Sequence, residues 1–287
     1  LQSKFLKIRI FMNNKNIYLT IQAFLMLFAG MLLFSNCKTD GDKKGSDTIK
    51  QDTITGHVSV NKVEFSMPSP SDIAALLVDN TEMTFNQSFL NKPTNADKYN
   101  TDLKVALNLG IYTCDMSYAS YFEQMQVSQE YYGVTKKMAE QLGIVNIMSE
   151  KHVKMITESK ITKASMTDII NETFMNTDAY LQENDRKDVM TTILYGGWIE
   201  ALYLATGSTN GSSTAKPELT MRIADQAIVL EILDNLILNS KDENVKKLQP
   251  DLELVKANYA KINEKMSPEN FKAFCNVIKE LRTKYTV

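Results

Sequence analysis

From about Pro68 to the end of the chain, apolar residues recur at helical spacing almost throughout. Ser69-Pro70-Ser71-Asp72 is a start signal for a helix over 73–78, and Pro93-Thr94-Asn95 precedes a long periodic stretch from 96 to about 126. The pattern then predicts a helix over 128–142, with Gly143 just past its end, and further helices near 149–160, 165–182 and 185–206. The segment 207–214, Gly-Ser-Thr-Asn-Gly-Ser-Ser-Thr, is the clearest internal loop. Pro217 opens a helix to about 238, and two more follow near 242–263 and 267–285, with Pro250 kinking or dividing the first of them. Residues 57–66 alternate weakly (Val58, Val60, Val63, Phe65) and read as an extended lead-in. No repeat of solenoid length is present. The fold expected is all-α: an irregular antiparallel multi-helix bundle of eight to ten helices, formed by a single domain over 57–287.

The chain before this domain has a different pattern. Met12-Asn-Asn-Lys15-Asn is a short charged start, 17–34 is uncharged and strongly apolar, and Leu33-Phe34-Ser35-Asn36-Cys37 follows. Such an order defines a secretory leader over 1–36, with translation starting at Met12. The alternative is a transmembrane helix, which the length of the run allows. A cysteine directly after the run, followed at once by polar chain, resembles the lipobox of bacterial lipoproteins. That resemblance implies a lipid on Cys37 and cleavage before it. Asn36 replaces the usual small residue, and Phe34 the usual leucine; relaxed versions of this kind occur in Bacteroidota. Residues 37–56 are then a lipid-bearing, polar and flexible tether.

Composition narrows the picture. Glycine and proline number only 11 and 6, too few for the turns of a β-sandwich of this size, which supports helix. Net charge is −2, and the four bases of the leader (Lys4, Lys7, Arg9, Lys15) have no acid beside them, so the chain from residue 37 carries −6. Nothing there attracts nucleic acid, and a membrane would be held through the lipid on Cys37 alone. Besides Cys37 the cysteines are Cys114 and Cys275, both within apolar helical patterns. They read as two buried free thiols, with a disulfide as the alternative. His57 and His152 share no spacing with a Cys or carboxylate cluster, so no metal site and no cofactor is expected.

Two helices are apolar nearly all round, which marks them as central. One holds Gly110, Tyr112, Asp115 and Tyr118; the other holds Gly196, Gly197, Trp198, Glu200 and Tyr203. Each has one acid in an uncharged run, with a tyrosine three residues on and hence on the same face. A carboxylate in a core stripe needs a partner, and Arg222, in another central-looking helix, is the expected one. Glycines that cost roughly 1 kcal/mol each in a helix often mark close helix approach. These residues read as buried polar cross-links that fix helix register, as the lining of a small-molecule pocket, or as paired carboxylates for hydrolysis. The segments LGIYTCDMSY (109–118) and GGWIEALY (196–203) resemble a group of uncharacterised helical lipoproteins from Bacteroidota, which implies this fold and a cell-envelope address but no activity. The expectation is therefore a lipid-anchored envelope protein at the outer membrane, acting as a non-catalytic binding or scaffolding module for a small molecule or a protein. The alternative is an envelope hydrolase using Asp115 and Glu200.

Overall fold

Thr101 sets the start of the central helix. Its side chain accepts from the Lys104 N–H, capping α1 (Asp102–Tyr121). A computed structural model describes residues 56–60, 63–67, 78, 81–145, 148–158 and 161–287. The leader, Cys37, the tether and most of the helix expected over 73–78 lie outside the described residues. α1 begins six residues later than its periodicity suggests. Residues Pro93–Lys98 form a 3-10 turn instead, and Tyr99 is extended (φ −89°, ψ 105°). That geometry puts the Tyr99 ring in the core, where its hydroxyl accepts from Asn91 Nδ2 at 3.0 Å and donates to the Thr286 carbonyl at 3.2 Å.

α2 (Met125–Gln141) ends where Gly143 takes a positive φ of 69°, a conformation that favours glycine. The short α3 (Glu150–Thr157) is capped by Ser149, and α4 (Lys163–Glu183) opens on a capping box between Thr162 and Ser165. α5 (Lys187–Ser208) is the second central helix. The helix expected over 217–238 is split into α6 (Pro217–Asp225) and α7 (Ala227–Asn239). A distant residue accompanies the split. The buried Tyr259 hydroxyl donates to the Ile223 carbonyl at 3.0 Å, and the Gln226 N–H bonds the same oxygen at 3.2 Å. Pro250 divides the next stretch as expected, into α8 (Glu243–Lys246) and α9 (Gln249–Glu264), and α10 (Pro268–Thr286) closes the chain with Ser267 as its cap.

These ten helices form an all-α multi-helix bundle within one compact unit from Asp52 to Val287. The lead-in is a small exception. β1 (Gly56–Val60) and β2 (Val63–Met67) pair antiparallel, with Val58 opposite Phe65 and Val60 opposite Val63. Only Asn61 and Lys62 separate them in sequence, the length of the commonest hairpin connections. Among the described residues no helix is long and apolar enough to cross a membrane.

α1 and α5 meet backbone to backbone. A Cβ added at Gly110 would lie 1.9 Å from the Ile193 carbonyl oxygen, and one at Gly196 would lie 2.1 Å from that of Leu107. The glycines thus do what their cost implies: they let two helices approach closer than any side chain permits. Around this crossing sit Ile111, Tyr195, Ile199 and Leu202, all buried.

Candidate functional site

The close crossing of α1 and α5 brings their two acids together in the centre of the domain. Asp115 and Glu200 are both 0% exposed. The Asn91 N–H donates to Asp115 Oδ2 at 3.0 Å, while Oδ1 has no donor within reach among the described residues. The two carboxyl groups are within hydrogen-bonding reach of each other. Two carboxylates cannot use that contact, but one protonated acid and one carboxylate can. Burial raises Asp115 well above the ordinary aspartate range and Glu200 adds to this, against the opposing charge of Arg282 and the Asn91 N–H. Burial also raises Glu200, but the charge and hydrogen bonds of Arg282 pull it back. If the pair holds one proton, these directions favour Asp115 as its carrier and donor and Glu200 as the ionised acceptor.

Arg282, on α10, is the cation of this group. Its Nε donates to Glu200 Oε2 at 2.9 Å and its Nη2 to Oε1 at 3.2 Å, a two-pronged contact. Nη2 also donates to the Phe89 carbonyl at 3.1 Å, and the guanidinium lies 4.7 Å from the centre of the Tyr203 ring. With that one proton, Asp115, Glu200 and Arg282 together are electrically neutral.

Arg222 does not belong to this network, contrary to the expectation from its helix. It bonds Glu218 one turn away on α6 at 3.4 Å, on a face where both side chains are partly exposed. On α6 the buried positions are Leu219, Thr220 and Ile223, so Arg222 sits beside the apolar stripe rather than in it. Arg282 was hidden among Lys279 and Lys284, which resemble a solvated face. A signal exists, however: it stands three residues before the buried Tyr285, as the acids stand before their tyrosines.

The aromatic candidates on α1 serve a different purpose from lining a pocket. Tyr112 donates to the Lys92 carbonyl at 2.8 Å. Tyr118 donates to the Thr84 carbonyl at 2.9 Å and accepts from the Asn86 N–H at 3.0 Å. Tyr131, on α2, donates to the Asn91 carbonyl at 2.9 Å. With Asp115 and Arg282, they satisfy the backbone of a strap over 84–92 that lacks α-helical bonding of its own. Buried backbone groups need such partners. Asn91 is the hub. Its side chain also bonds Tyr99, Asn108 and Asn95. No periodicity announces a residue of this kind.

A testable consequence concerns pH. A proton kept by Asp115 in the fold and lost at ordinary pH in the unfolded chain stabilises fully below the usual aspartate value of about 3.9. That stabilisation is lost as pH rises toward the raised value. Asp115→Asn keeps an acceptor for Asn91 and gains a permanent donor for Glu200. We expect it to match the parent near pH 4 and exceed its stability at pH 8, measured by urea unfolding at both. A variant less stable than the parent at pH 8 would mean that residue 115 is ionised.

Trp198 stands apart from the acids. It is 1% exposed, stacked on Tyr259 at 6.2 Å, and its Nε1 has no partner among the described residues. It forms part of the wall of a cavity of about 330 Å³ between α1, α2, α4 and α5. Leu109, Ala139, Ile170, Phe174 and Leu194 contribute to an apolar wall, and Asp115 and Glu200 are not part of it. Ile144, Val145 and Met148, with Val153 of α3, border the same space. α3 is held to α4 by Glu172, which accepts from the Ser149 N–H at 2.9 Å and pairs with His152 Nδ1. Among the described residues no group of three His, Cys, Asp or Glu could hold a metal ion.

Cys114 and Cys275 are both free. Cys114 is buried at the cavity wall, and burial pushes its thiol well up. Cys275 is only half-buried, with its thiol pushed up to about 11 by burial. No protein-family model, curated protein or solved structure matches this chain.

Proposed function

We propose that this chain is a non-catalytic binding module, lipid-anchored at the cell envelope through Cys37, whose domain takes a small apolar ligand in the cavity beside Trp198. The observation that carries the reading is the cavity itself. Its volume of about 330 Å³ falls in the range of about 300–1,000 Å³ common to small-molecule sites. Such sites combine apolar walls with a few polar groups, and here Thr113, Thr135 and Tyr132 stand among the apolar residues of the wall. A ligand filling the space would give those walls dispersion contacts that the protein alone does not supply.

Hydrolysis by Asp115 and Glu200 has less in its favour. A general acid or base must reach the atom it serves. Both acids are fully enclosed and engaged with Asn91, Arg282 and each other. Their chemistry suits a neutral cross-link between α1, α5, α10 and the strap. The envelope address rests on the leader, on Cys37 after the apolar run, and on the lipoprotein resemblance of the 109–118 and 196–203 segments.

Two measurements test the two halves of the proposal. Intact mass of the membrane-extracted protein should start at residue 37 and carry acyl chains that are lost in Cys37→Ser. A mass that retains the leader and carries no lipid would make 17–34 a membrane anchor. The neutral apolar dye N-phenyl-1-naphthylamine should bind once per chain and raise the melting temperature with its concentration. An unchanged melting temperature at saturating dye would count against the binding role.

A further inference from the structure

The charges of the cavity lie where it meets water. Among the described residues, Lys136 and Glu140 are the only charged side chains on its wall. They are 59% and 56% exposed and 3.9 Å apart. Val145 and Val153 are the other two wall residues well open to solvent, at 47% and 45%. These four therefore form the rim of the mouth. Deeper in, the wall carries no charge. Burial pushes the Cys114 thiol well up, so it stays protonated. The Thr113 and Thr135 hydroxyls are spent on the Leu109 and Tyr132 carbonyls, at 2.7 and 2.9 Å, and the Tyr132 hydroxyl donates to the Met148 sulfur at 3.3 Å. A charge placed inside would be unpaired and strongly disfavoured. An alkyl chain placed there would leave water for an apolar wall, which is favourable. At the rim a charged or polar group keeps its hydration.

We propose that the cavity holds the tail of a free, single-chain amphiphile of medium length, such as a fatty acid, with its polar head left in water at the rim of Lys136, Glu140, Val145 and Val153. This rests on the binding role proposed above and gives the apolar occupant a polar end outside. The space limits the tail. At roughly 30 Å³ per water-sized group, a cavity of about 330 Å³ has room for about ten or eleven heavy atoms. A second polar end is excluded, because the far end of the tail meets only the uncharged part of the wall.

The test is a competition series below the micelle concentration of each acid. Hexanoate, octanoate, decanoate, dodecanoate and tetradecanoate displace N-phenyl-1-naphthylamine from the full chain, with decanedioate in parallel. Affinity is expected to rise about fourfold per added CH₂ up to about ten or eleven carbons, and then to level off. Decanedioate should bind at least a hundredfold more weakly than decanoate, because its second carboxylate would have to enter the uncharged interior. The 13C-labelled carboxyl of bound decanoate should titrate as it does in water. Decanedioate binding as tightly as decanoate, no levelling with length, or a bound carboxyl that titrates as a buried acid overturns the amphiphile inference. So does dye binding that no acid displaces, and in each of these cases the binding role stands. If neither the dye nor any acid binds, the binding role falls with it.

Discussion

Glu200→Ala is expected to destabilise the domain by about 3–5 kcal/mol, the usual cost of removing one partner from a buried ion pair. The substitution strips Arg282, whose side chain is 13% exposed, of its carboxylate, and it leaves Asp115 without the acceptor for its proton. The Phe89 carbonyl and the Tyr203 ring cannot replace a counter-charge. Urea unfolding measures the loss. Glu200→Gln, which still offers one oxygen, should fall between the parent and the alanine variant. Glu200→Met combined with Arg282→Met removes both charges and should recover much of the loss, because a buried pair exchanged for apolar groups is often near neutral. A Glu200→Ala variant as stable as the parent would mean that the carboxylate does not hold Arg282 in solution.

Gly110→Ala is expected to cost about 3 kcal/mol or more, at or beyond the upper end of ordinary overpacking. The new Cβ would lie 1.9 Å from the Ile193 carbonyl oxygen and 2.7 Å from the Gly197 nitrogen. Both are backbone atoms of α5, so neither can rotate aside as a side chain would. α1 and α5 would have to separate along the crossing that also joins Asp115 to Glu200. Gly133 on α2 is the control. A Cβ there meets nothing within 4 Å, and Gly133→Ala should stabilise by about 0.5–1 kcal/mol through helix propensity alone. Melting temperatures of the two variants should therefore move in opposite directions. Equal shifts would contradict the close crossing.

Periodicity carried most of the fold. α1 and α5 are recognisable as central because no face of either is polar, and Gly110 and Gly196 stand where their helix cost requires a packing reason. The enclosed acids were also legible, since a lone carboxyl in an apolar run must find a partner. The apolar stripes alone did not identify that partner. Arg222 and Arg282 both stand beside apolar stripes, and only the packing of α10 against α5 separates them. The break at Gln226 was hidden for a similar reason, because Tyr259, which bonds the Ile223 carbonyl, lies 36 residues from it. The strap over 84–92 has no period at all, and Asn91 gains its importance only from what surrounds it. The cavity is hardest to see in a sequence. It depends on side-chain volumes from four helices failing to fill one space, and Trp198 joins its wall only through that packing.

The claim that this cavity is a ligand site is tested most directly by energy transfer from Trp198. Its indole is part of the cavity wall and is the sole tryptophan, so N-phenyl-1-naphthylamine bound there would quench its emission from within contact distance. We expect quenching that saturates at one dye per chain, and loss of that quenching in Ala139→Phe, where a larger side chain on the wall takes the space. Quenching that never saturates, or that persists unchanged in Ala139→Phe, would contradict the account.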